Sequence, residues 1–172
     1  MNSINLLRLQ FQNAHETLEA TMQDVTAEVA HVRELGKALP VGAAYVHAVC
    51  SEDVLLSKFI LQKDPIMKDA SSIGLSEFMP DFSNWDRHAI WAQNVTVDLT
   101  KFRTYAREVY AATDVYVSTL KDEDLDKDLD MGQFGKHKLG FVLSAFFLLH
   151  LANLTGEISA AKGLQGLKGY PF

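Results

Sequence analysis

Apolar residues recur at steps of three and four along four separate stretches of this chain, and that spacing commits the chain to helices that share a core. The most regular stretch is Val95, Leu99, Phe102, Ala106, Val109, Thr113, Tyr116 and Leu120. Such steps keep side chains on one face of a helix, and a face that apolar must be covered by other elements. An earlier stretch runs Phe11, Ala14, Leu18, Met22, Val25, Val29 and Val32, with Glu16, Glu19, Asp24, Glu28 and Arg33 largely off the stripe. Gly36 and Pro40 stop it. After Pro40, Ala43, His47, Cys50, Val54 and Leu61 share a face, widened by Tyr45, Leu55 and Phe59. The last stretch is Leu139, Leu143, Phe146, His150, Asn153 and Leu154, and Gly163, Gly166 and Gly169 end it. This spacing predicts helices over residues 3–35, 41–62, 94–120 and 138–162, and no sheet.

Residues 63–94 hold no single period. They carry Pro65, Gly74, Pro80 and the aromatics Phe78, Phe82, Trp85 and Trp91. A segment this long inside a compact domain needs structure or function of its own. It reads as a crossover with short helical turns, held down by its aromatics, between helices two and three. The expected fold is all-α: one four-helix bundle domain over 1–172.

Composition narrows the function classes. The chain is 48% hydrophobic and 22% charged, with a formal net charge of −6. Its Lys and Arg form no basic stripe, which argues against nucleic acid as a partner. A single cysteine, Cys50, rules out an intrachain disulfide. Met1 to Gln12 lacks the pattern of a signal peptide. The longest apolar run, Phe141 to Leu154, falls short of the ~20 residues of a bilayer span and reads as a buried core helix. A cytoplasmic protein without a membrane partner is expected.

Few residue groups point to chemistry. The acidic run from Asp122 to Asp130 fails as a calcium loop. Starting at Asp126, the glycine and closing glutamate of an EF-hand fall on Met131 and His137; starting at Asp124, the glycine falls on Leu129. It reads as a solvated loop. Ser51, Glu52 and Asp53 read as surface groups, as do His15, His31, His88 and His137, none of which has a partner at ligand spacing. Cys50, three residues after His47, reads as a small buried thiol. His47 and His150 differ, because each lies on the apolar stripe of its own helix. A buried imidazole needs a hydrogen bond, an ion pair or a metal. Two on facing helices of a bundle are the candidate site, and they are expected to meet across its interior.

Three pieces of sequence resemble the DinB-like superfamily of bacterial four-helix bundles. They are the mid-helix histidine in Ala43-Ala44-Tyr45-Val46-His47-Ala48-Val49-Cys50-Ser51-Glu52, the stretch His150-Leu151-Ala152-Asn153-Leu154-Thr155-Gly156-Glu157-Ile158, and the ending Lys162-Gly163-Leu164-Gln165-Gly166-Leu167. The resemblance implies a divalent metal, nickel or zinc, held by three histidines. His47 and His150 match two of them. The third falls at position 154, where this chain has Leu154. Glu157 lies ~10.5 Å of helix rise beyond His150, too far to share its ion. Asn153 is a poor ligand for such metals. Cys50 is the best local substitute, though the family does not use it. A degenerate site of two histidines in a polar pocket, binding metal weakly or not at all, is therefore expected. The resemblance further implies a metal-dependent thiol S-transferase or isomerase, a small thiol or other small-molecule ligand, and a homodimer. The alternative is a non-catalytic, stress-related binding or interaction module that has lost its metal centre.

Overall fold

The computed structural model describes residues 2–33, 38–81 and 84–172. Gly36, Phe82 and the side chain of Trp85 lie outside the described residues. The structure is predominantly helical. α1 (Ser3–Met22) is followed by the short α2 (Ala27–Ala30). α3 (Val41–Val54) runs on as a π-helical stretch, Leu55–Leu61. α4 (Trp85–Asn94) precedes α5 (Leu99–Ser118), and α6 spans Leu139–Leu164, with a π-helical stretch over Val142–Leu149. α1 packs on α5 and α6, and α3 packs on α5, α6 and α4.

The expected first helix, 3–35, is broken. α1 stops at Met22, where Arg103 donates to the Met22 carbonyl and buried Lys162 donates to the Thr21 carbonyl and to Asp24, both at 2.5 Å. These cations take up carbonyls that a continuing helix would need. Thr26 then caps α2 by accepting from Val29 N. The expected start of the third helix is also late. Val95 to Asp98 is non-helical, and the Asp98 carboxylate caps α5 by accepting from Thr100 N and Lys101 N.

The expectation of no sheet is wrong. Asp128–Asp130 (β1) pairs antiparallel with Lys136–Lys138 (β2), with Asp128 opposite Lys138 and Asp130 opposite Lys136. Strands of three residues are too short to show alternation in sequence. The turn between them uses Gly132 and Gly135 at positive φ. α6 has 26 residues and is long and apolar enough to cross a membrane by length and composition alone. One face of it packs into the core through Val142, Leu143, Phe147, Leu151, Leu154 and Ile158.

α3 is the centre of the molecule, with every residue from Val41 to Asp53 buried. Ser51, Glu52 and Asp53, expected on the surface, are inside. The Asp53 carboxylate accepts from Ser57 Oγ at 2.9 Å, Ile66 N at 3.0 Å, Met67 N at 3.1 Å and Tyr105 Oη at 2.8 Å. That pins the start of the crossover to the core. Its middle is held by a bridge between Leu75 and Val97, where Asp98 N donates to the Gly74 carbonyl at 2.7 Å. Gly74 sits at φ 83°, and a Cβ there would lie 2.9 Å from the Asp98 carbonyl oxygen. The aromatics contribute unequally to holding the crossover: Trp91 is buried, while Phe78 is 44% exposed.

Asp53→Ala leaves four donors without their acceptor. It should cost about 3 kcal/mol of stability in urea unfolding, since a buried charged acceptor is worth more than an ordinary hydrogen bond. Asp53→Glu should recover only part of that.

Candidate functional site

His47 sits in the middle of α3, and its ring is flanked by two others. The His150 ring, from α6, has its centroid 5.0 Å away at an interplanar angle of 62°. The His88 ring, from α4, lies at 4.7 Å and 61°. The two histidines singled out from sequence are thus brought together, and a third joins them. His88, expected on the surface, is 4% exposed. It comes inward because His88, Trp91, Ala92 and Val95 form one buried face at helical spacing. That spacing was the available signal, hidden by the irregular segment before it. Asn84 starts the helix by accepting from Arg87 N.

The cluster lies between two cavities, and both are lined by His47, His150 and Asn153. The larger, about 820 Å³, is also lined by His88, Asp86, Gln93, Leu154 and Glu157. The smaller, about 270 Å³, adds Ser51, Leu55 and a set of apolar residues from α6 and the hairpin. Leu154, where a further histidine was expected from the resemblance, faces the cavity into which His88 brings its ring.

Burial first, and then the neighbouring His150 and His88, push the His47 imidazole down to about 3. Burial also lowers His88 and His150 below the ordinary imidazole value and raises the Glu157 carboxyl. All three rings are therefore neutral near pH 7, the form in which an imidazole can ligate a metal or take up a proton. Among the described residues, no group of three His, Cys, Asp or Glu side chains is arranged to hold an ion as it stands.

Cys50 does not join the cluster. It is buried in the core, and burial pushes its thiol up to about 12. It remains a protonated thiol at physiological pH and a poor nucleophile.

The remaining histidines have structural partners. His15, expected on the surface, is buried because α1 packs against both α5 and α6. Its Nε2 lies 3.0 Å from each Glu52 oxygen, and its ring stacks on Tyr110 at 3.9 Å. His31 Nδ1 donates to the Ala27 carbonyl, which leaves Nε2 to accept from Val97 N at 2.9 Å. His137 stacks on Phe141 at 4.9 Å.

No family model matches the chain, and no curated protein matches it. Among solved structures it is similar to the crystal structure of a conserved protein from Enterococcus faecalis, with a TM-score of 0.79 and 18% identity over 95% of this chain and 97% of that one. At that identity the likeness establishes the fold.

In the metal-free protein, the His47 ring should show no protonation shift by NMR between about pH 8 and about pH 5. A midpoint near the ordinary imidazole value would mean that the ring is solvated.

Proposed function

We propose that the chain is a DinB-like four-helix bundle, built from α1, α3, α5 and α6, whose cavity binds a divalent metal through His47, His88 and His150. The observation that carries this reading is the flanking of His47 by two more neutral imidazoles on a shared cavity wall. Imidazoles that share one tetrahedral ion at ~2.0–2.1 Å have ring centres about 5 Å apart. The two spacings measured from His47 match that figure, and the donor set suits zinc or nickel in number and chemistry. As they stand the three side chains do not form a ready-made ion site, and binding would require them to draw together. His88 takes the part that Leu154 leaves empty.

A bound metal would lower a thiol's pKa and hold it as thiolate. The chain's own contribution to thiol S-transferase or isomerase chemistry is the rest of the site. Asp86, Gln93, Asn153 and Glu157 line the larger cavity and suit a polar thiol co-substrate. The second reading is a binding module without a working centre, favoured by Leu154 at the position of the third ligand.

Metal analysis of untagged protein separates the two. Roughly one zinc or nickel per chain after loading and desalting is expected for a three-ligand site. His47→Ala, His88→Ala and His150→Ala should each release it, and Cys50→Ala should not. Retention unchanged in the triple variant would end the metal reading.

Self-association as a homodimer belongs to the same proposal, supported by the exposed apolar residues Phe141 and Leu164 on α6. Light scattering at micromolar concentration should give twice the chain mass, and a monomer mass would overturn it.

A further inference from the structure

The two cavities that meet at His47 and His150 differ in chemistry. The larger is edged by two carboxylates and two carboxamides. The smaller is walled by Leu55, Phe134, Ala145, Phe146 and Leu149. Phe134 and Phe146 form one side of it, with ring centroids 5.7 Å apart. Leu149 is 58% exposed and Phe134 37%, so the apolar wall reaches the surface and gives a way in. At about 270 Å³ the space exceeds the ~150 Å³ cavity that takes up benzene in an engineered protein core. Its inner end is polar. Ser51, on α3 one turn past His47, lines it beside the two imidazoles. The Ser51 hydroxyl is buried with no hydrogen-bond partner among the described residues. A buried hydroxyl in that state is costly unless a ligand or water answers it.

An apolar slot with a few convergent polar groups at its closed end is the usual form of a small-molecule subsite. We infer that the smaller cavity is the acceptor subsite: it takes the aromatic or similarly sized apolar group of a small molecule whose polar head lies against His47, His150 and the Ser51 hydroxyl. This specifies the substrate class of the site proposed above and rests on that reading for the metal-held head group. It also divides the labour between the cavities. The polar co-substrate enters from the Asp86 and Glu157 side, the apolar partner enters past Leu149, and the histidines stand where the two meet.

Two hydroxamates test this by calorimetry on zinc-loaded protein. Both carry the same chelating head, and they differ in a phenyl or a methyl group. Benzohydroxamate should bind at least about tenfold more tightly than acetohydroxamate, the difference being the apolar area buried. Ala145→Phe fills the slot and should erase that preference while leaving acetohydroxamate affinity and zinc content unchanged; Ala145→Leu is the milder variant should Phe disturb folding. Equal affinities in the parent protein, or a preference that survives both variants, would overturn the inference. A metal-independent arm uses benzyl alcohol on the zinc-free protein, followed by NMR. Shifts should concentrate on the Ala145 and Leu149 methyls and weaken in Ser51→Ala. If zinc fails to bind but these shifts appear, the metal reading falls and the subsite stands. If zinc binds and neither the hydroxamate preference nor the shifts appear, the subsite falls alone.

Discussion

A helix buried on every side offers none of its polar groups to bulk water, and α3 imposes that condition on the whole molecule. Tyr45 donates to Glu19 of α1 at 2.6 Å. Glu52 accepts from Thr113 of α5 at 2.5 Å and faces His15 of α1. Asp53 holds Tyr105 of α5 and the first amides of the crossover. His47 meets α4 and α6 through their histidines. Together these partners fix the approach of α1, α4, α5, α6 and the crossover. Losing one leaves a polar group stranded in low dielectric, which costs more than the bond itself contributed.

The same condition explains what could be read from sequence. The four apolar stretches were legible because a helix with one dry face writes its period into the chain. His47 and His150 were legible because a histidine on such a stripe has nowhere wet to go. Glu52, Asp53 and His15 were misread by that logic. A polar residue off the stripe looks solvated only when the helix has a wet side, and α3 has none. Their pairing joins positions 37, 52 and 61 residues apart, separations on which periodicity carries no information. His88 was obscured for a different reason. Its helix is ten residues long and follows an aperiodic stretch, so its own short stripe was read as part of a loop.

The two π-helical stretches lie next to this polar interior. One follows Asp53 and Val54 directly, and the other ends at Leu149, immediately before His150. A wider turn changes which side chains continue the face of the helix, and such turns frequently occur beside functional groups. In α6 this matters for residue count. Phe146 and Leu149 line the apolar cavity while His150 and Asn153 line both cavities, so one helix serves two chemically different spaces.

His47 and His150 ride on the long helices of the core, whereas His88 arrives on a shorter segment docked against them. Its fastenings are local: two amides on the Asp53 carboxylate, a bridge at Leu75, and the buried face of α4. Proteins open such segments without unfolding globally. The histidine cluster is therefore complete only while the crossover is docked, and undocking removes one ring while leaving the other two in place. Solvent exchange at the Ile66 and Met67 amides would then track the integrity of the cluster.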